Sequence, residues 1–125
     1  MGVVMGYWDD KNNAVVTKSK AFALRIIGMY KHLTRNKIEY VIAKQALRSG
    51  TSIGANVREA HRGQTDPDFY AKMNIALKEA DETAYWLELL HEGEFIDDES
   101  FNSIYKDCDE VICLLVSILK NNYKK

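Results

Sequence analysis

Proline occurs once in this chain, at position 67, and no Gly/Ser/Pro-rich or low-complexity tract appears. With 125 residues, that leaves no internal boundary and points to one domain around one core. The longest apolar run, Val111 to Leu119, is too short to cross a bilayer. No stretch alternates apolar and polar residues, so no strand is expected. The first ten residues lack the basic and long apolar regions of a signal peptide, and Gly6 stands where a myristoylation motif needs Ser or Thr. A cytoplasmic protein with no membrane partner is expected. Cysteine is scarce too. Cys108 and Cys113 are five apart on one predicted helix, so their Cα atoms would be roughly 8 Å apart, too far for a disulfide. Both read as small core or interface hydrophobes.

Catalytic machinery is equally thin. A carboxylate-bridged metal site in a helix bundle needs Glu-x-x-His on two helices and a further Glu on each of the others. Only Glu88 and His91 have that spacing, and since Leu87 and Leu90 hold the apolar stripe, both are expected to lean outward. His32, His61 and His91 fall on different predicted helices. Gly50, Gly54 and Gly63 have no adjoining Lys-Ser/Thr and no preceding strand, so there is no phosphate loop. Ser49, Thr51 and Ser52 lack a base at any recognisable spacing. Cys108 lies in an apolar stripe, which argues against a reactive thiolate. No catalytic residue, cofactor, metal or small-molecule substrate is expected.

Four stretches carry helical spacing. Helix one is expected over about 17–34, capped by Thr17 or Ser19, with Phe22, Ile26, Met29 or Tyr30, and Leu33 facing inward. Helix two is expected over 38–62, with Ile42, Ala46, Ser49, Ile53, Asn56 or Val57, and Ala60 on its stripe, and Gly63 ending it in a left-handed cap. Helix three is expected over 66–92, opened by Asp66 and Pro67 and closed at Gly93. Phe69, Met73, Ala76, Ala80, Thr83, Leu87 and Leu90 alternate four and three along it. Helix four is expected over 98–122, starting at Asp97 or Asp98, with Phe101, Ile104, Cys108, Val111, Leu115 and Ile118 in line. Short connections place successive helices antiparallel, so the fold class is an all-α, up-and-down four-helix bundle. Residues 1–16 form an N-terminal arm whose Tyr7, Trp8, Val15 and Val16 are available to dock on the bundle or on a neighbour.

Helix two holds the most informative residues. Its middle is Ser49, Gly50, Thr51, Ser52, Gly54 and Ala55. Glycine costs about 1 kcal/mol in a helix interior relative to alanine, so two of them point to close approach of a neighbouring helix. Charge is lopsided as well. Residues 1–62 carry eleven Lys/Arg and four Asp/Glu, while residues 63–125 carry six and fourteen. Either the halves attract each other, or the first half presents a basic face to nucleic acid. Lys44, Arg48 and Arg62 fall near one another on the helical wheel, with Arg58 offset, and are the candidate phosphate contacts. No aromatics interleave with them, so base stacking is not expected. Asn56 and Glu59 are expected to form a polar network between helices or subunits, and Lys78, Glu79 and Glu82 to be solvated charge. Tyr85 and Trp86 do not both fit the core stripe and are candidates for a subunit interface, with burial under the N-terminal arm as the alternative.

The run Arg48, Ser49, Gly50, Thr51, Ser52, Ile53, Asn56, Glu59, Ala60 resembles the signature of the four-helix bundle family encoded by intervening sequences in bacterial 23S ribosomal RNA genes, often called S23-like. Gly63, Gln64, Asp66, Asp68 and Phe69 are similar to it too, as is the stretch from Ala76 to Leu87. The resemblance covers about residues 12 to 120. It implies an antiparallel four-helix subunit assembled as a homopentamer. It also implies kinship with the accessory variability protein of diversity-generating retroelements, which has a basic surface and binds nucleic acid and a reverse transcriptase. This chain carries a net charge of −1 instead. The function expected is a non-enzymatic oligomeric scaffold that binds RNA or DNA weakly through basic residues of helices one and two. The alternative is an adaptor that recruits a nucleic-acid enzyme without touching nucleic acid.

Overall fold

The computed structural model describes residues 10–123. They form four helices: α1 (Asp10–Arg35), α2 (Val41–Ala60), α3 (Asp66–Glu92) and α4 (Asp98–Tyr123). Each helix packs on its two neighbours in a closed square, α1 on α2 and α4, α3 on α2 and α4. Contacts run in opposite numerical directions along every seam. Gly50 and Gly54 of α2 meet Ile26 and Ser19 of α1. Ser49 and Glu59 meet Thr83 and Lys72 of α3. Glu88 and Ala80 of α3 meet Tyr105 and Cys108 of α4, and Lys18 and Arg25 of α1 meet Glu110 and Asp107 of α4. The bundle is therefore up-down-up-down.

The core is the expected stripe on α3, where Phe69, Met73, Ala76, Ala80, Thr83, Leu87 and Leu90 are all buried. On α4, Ile104, Cys108, Val111, Leu115 and Ile118 are buried, while Phe101 is half-buried at its edge. Each fully buried Leu, Ile or Phe contributes about 1.5–3 kcal/mol relative to exposure. The α2 stripe is narrower in volume. Ala43, Ala46, Ser49, Gly50, Ile53, Val57 and Ala60 are its buried residues, and the small ones let α1 and α3 approach. A Cβ built on Gly50 would lie 3.0 Å from Cγ1 and Cγ2 of Ile26. The glycine there is a packing requirement.

Several boundaries differ from the sequence reading. α1 begins at Asp10, so residues 10–16 are helical and no arm occupies them. Val15 is fully buried, and that burial carries the helix upstream of Thr17 and Ser19, which sit inside it; Ser19 Oγ donates to the Val16 carbonyl. Tyr7 and Trp8 lie outside the described residues. α2 starts three residues late, at Val41, because Lys37 takes φ 56° and breaks the chain there. Glu39 then caps α2, its carboxylate accepting from the backbone N–H of Val41 (3.0 Å) and Ala43 (2.8 Å). α3 is capped by Thr65 rather than Asp66, its hydroxyl accepting from Asp68 N–H at 3.2 Å. Asp97 caps α4, accepting from Ser100 N–H at 2.7 Å. Hydrogen bonding from the Ser100 backbone, and then from its side chain, holds the Asp97 carboxyl below the usual range.

Gly63 is not left-handed; no described glycine has positive φ. The left-handed positions are Lys37 (56°) and Glu94 (67°). Around each, the last turn closes in the same pattern. Ile38 N–H reaches Leu33 O (2.8 Å) and Lys37 N–H reaches Thr34 O (3.1 Å). Phe95 N–H reaches Leu90 O (2.8 Å) and Glu94 N–H reaches His91 O (3.0 Å). These are Schellman caps with a non-glycine at the strained position.

Candidate functional site

The outer face of α2 was the sequence candidate, and the fold divides its cations. Arg48 turns across the α2–α3 seam. Its guanidinium contacts the Glu82 carboxylate, lies 3.6 Å from Glu79 and donates from Nε to Gln45 Oε1 at 3.2 Å. Trp86 Nε1–H donates to the same Glu82 carboxylate at 2.9 Å. The seam cluster is thus Gln45, Arg48, Glu79, Glu82 and Trp86. Glu79 and Glu82 are not the free solvated charge that the sequence suggested. Antiparallel packing brings α2 and α3 into lateral register at this level, and a spacing argument on one helix does not contain that register.

Lys44, Arg58 and Arg62 are exposed, and their side chains make no ion pair or hydrogen bond among the described residues. Lys44 and Arg62 stand near the two ends of α2, and Arg58 turns towards α1. The strip of four is therefore one committed arginine and three open cations. Attraction between the halves is real nonetheless. Lys18 pairs with Glu110, Arg25 with Asp107 (2.7 Å), and Arg48 with Glu82. Such exposed pairs contribute about 0–1 kcal/mol each, so they bias orientation more than they add stability.

Among the described residues Asn56 and Glu59 share no partner within the subunit, although Glu59 does reach across to α3. Asn56 Nδ2 donates back to the Ser52 carbonyl of its own helix at 2.8 Å, and Glu59 pairs with Lys72 at 2.9 Å in solvent. Three residues apart, the two are neighbours on one face, but Asn56 is taken up by its own preceding turn and Glu59 by Lys72 of α3. The buried polar contact of this seam is Ser49 with Thr83 instead.

Tyr85 points away from the core and is 53 % exposed. Trp86 is half-buried, its ring tilted at 58° against that of Tyr85 with centroids 5.2 Å apart. Other large apolar side chains left open are Leu24, Tyr40, Val41 and Ile75.

Glu88 and His91 do not lean outward. Both enter the α3–α4 seam. Tyr105 Oη–H donates to Glu88 at 2.7 Å, which pushes the Tyr105 phenol up to about 12. His91 stacks on Phe101 (centroids 4.1 Å, 7° between planes), and its Nε2 lies 2.7 Å from Asp98. Leu87 and Leu90 do hold the stripe, but a long side chain on its flank folds back over the seam. Among the described residues no group of His, Cys, Asp and Glu could hold a metal ion, and no helix is long and apolar enough to cross a membrane. Cys108 is buried, its thiol pushed up to about 12 mainly by burial. Cys113 is free and exposed, so of the two cysteines only Cys108 is a core residue.

A groove of about 450 Å³ runs between α1 and α2, lined by Ser19, Lys20, Ala23, Gly54, Ala55 and Arg58 among others. The small residues of α2 were legible, but their alignment with Ala23 and Lys20 of α1 depends on how the two helices meet.

Residues 11–117 match the family model described as 23S rRNA-intervening sequence protein. Among solved structures, the chain is similar to a protein of unknown function from the S23 ribosomal protein family of Bacteroides thetaiotaomicron VPI-5482. The two are 55 % identical, with 88 % of this chain and 98 % of that chain covered and a TM-score of 0.86. No curated protein matches the chain.

Proposed function

This chain belongs to the 23S rRNA-intervening sequence protein family, and we propose that it is a non-enzymatic, homo-oligomeric scaffold, a pentamer, that binds RNA or DNA weakly through exposed cations of α1 and α2. The observation that carries the nucleic-acid part is the division on α2. Arg48 is committed to α3, while Lys44, Arg58 and Arg62 stand open without a carboxylate partner among the described residues. Contacts of this kind reach phosphates and carry no sequence information. The assembly part is supported by exposed apolar side chains that the bundle does not use, among them Val41 (73 % exposed), Leu24, Tyr40 and Tyr85.

Fluorescence anisotropy with a labelled RNA and a labelled DNA tests the first part. Affinity should fall linearly on a log–log salt plot, with the slope set by the number of phosphates engaged. Lys44→Glu with Arg62→Glu should weaken every sequence alike. No binding at low salt removes the nucleic-acid part. Sedimentation equilibrium tests the second. A clean 14.3 kDa species at micromolar concentration rejects the oligomer.

A second reading draws on the exposed aromatic pair Tyr85 and Trp86. In it the protein is an adaptor that recruits a nucleic-acid enzyme, such as a reverse transcriptase, through an apolar contact. Its signature is salt-independent binding to that enzyme with no binding to RNA or DNA.

A further inference from the structure

We infer that Tyr85 of one copy seats in the groove between α1 and α2 of the next, with Asp81 of the same helix meeting Lys20 and Arg58 at the groove's edges. The inference rests on the homo-oligomer reading and names its interface. The small residues lining the groove are Ser19, Ala23, Gly54 and Ala55, the last of them exposed. Gly54 adds no side chain to the lining, and a Cβ there would make ordinary contact with Ser19 Oγ at 3.5 Å. The groove's volume, about 450 Å³, admits more than one aromatic ring. A lining of small residues leaves room for a flat, rigid side chain, and aromatic anchors seated in pockets carry most of the energy at such contacts.

Tyr85 has the matching properties. It is the most exposed aromatic of α3, on the side opposite the buried stripe. Trp86 braces its ring, and Trp86 is itself held by the hydrogen bond to Glu82. The knob is therefore partly preorganised, which lowers the entropy lost on docking. Charge agrees. Asp81 lies one turn before Tyr85 on the same face, exposed and without an ion pair among the described residues. Lys20 and Arg58 are exposed at the groove without carboxylate partners among the described residues. Glu59, also at the groove, is drawn off by Lys72. Arg58 thereby turns to Asp81, and Lys44 and Arg62 remain for phosphates.

Geometry sets the symmetry. α1 and α3 lie on opposite corners of the bundle and share no seam, so the outward-facing Tyr85 cannot reach the groove of its own copy. Knob and groove are different patches, which makes the contact head-to-tail; such a contact closes a ring when its rotation closes, as the proposed pentamer requires, and otherwise runs on as a filament.

A mixing experiment decides it. Tyr85→Ala removes the knob, and Ala55→Trp fills the groove. Circular dichroism checks that both exposed-site variants stay helical. By sedimentation each should be monomeric alone, with at least a tenfold weaker self-association than wild type. Mixed, they should form a 1:1 heterodimer and stop, because one intact knob and one intact groove remain. A mixture that stays monomeric, or variants that assemble as wild type, overturns the inference while leaving the oligomer standing. A monomeric wild type removes the oligomer itself. Should Ala55→Trp not fold, Arg58→Glu replaces it. Arg58→Glu and Asp81→Arg should each weaken assembly, and together in one chain they should restore it. Absence of restoration rejects the pairing.

Discussion

Thr83 of α3 donates a 2.7 Å hydrogen bond to Ser49 of α2, and both side chains are completely buried. Ser49 donates onward to the Gln45 carbonyl at 3.1 Å, so each proton on this path has an acceptor. The pair sets the lateral register that also delivers Arg48 to Glu82. Thr83→Val preserves shape and removes the donor, and should cost about 1 kcal/mol. Adding Ser49→Ala should cost less than the sum of the single changes, because the two hydroxyls serve each other. Urea unfolding of the four proteins reads this out, and strict additivity would contradict the pairing.

Gly50 and Gly54 are one turn apart and should respond oppositely to alanine. At Gly54 a Cβ makes ordinary contact with Ser19, so Gly54→Ala should stabilise by about 0.5–1 kcal/mol through helix propensity. At Gly50 the new carbon meets Ile26 at 3.0 Å, and a β-branched side chain has little rotamer freedom with which to yield. Gly50→Ala should therefore unfold at least about 1 kcal/mol more easily than Gly54→Ala. Thermal midpoints of the two variants compare them directly.

Lys37 and Glu94 hold left-handed backbone at the ends of α1 and α3. That conformation costs a non-glycine residue about 1 kcal/mol. Lys37→Gly and Glu94→Gly should each raise stability by up to that amount, with the same helical content. A loss of stability in both would mean that these two side chains do something else.

A thiol reagent at pH 8 should label one cysteine per folded chain and two after unfolding. Cys113 is exposed, whereas burial both hides Cys108 and pushes its thiol up to about 12. Cys113→Ser should leave the folded chain unlabelled.

Tyr105 titrates at about 12 when folded, against 10 as its ordinary value, because its proton is held by Glu88. A raised folded pKa stabilises below the unfolded value, and that stability is lost as pH rises through the folded one. The protein should therefore weaken between pH 10 and 12, and Tyr105→Phe should weaken less over the same interval. Denaturant midpoints at stepped pH measure the difference.

How far each element could be read from sequence depended on whether its signal was local. The α3 stripe was fully legible, since Phe69 to Leu90 alternate without interruption and every member is buried. The start of α1 was not, because Asn12, Asn13 and the valines have weak helix preference and only the burial of Val15 carries the helix back to Asp10. Gly93 drew attention to the right turn but not the right residue. It closes α3, while the left-handed position falls to Glu94. At the candidate site, exposed Tyr85 was legible as a misfit to its stripe. The partnering of Arg48 was not, and neither were the separate partners of Asn56 and Glu59.

The amino-acid order by itself determined four rods, their inward faces and the small-residue band of α2, because helical periodicity and glycine cost act within a few residues of chain. Tertiary structure alone decided which cations remain open, which carboxylates are used, and where a groove lies. Those outcomes turn on how two helices slide past each other, and a shift of one turn along a seam, about 5.4 Å, would exchange every partner while leaving each helix's own pattern untouched.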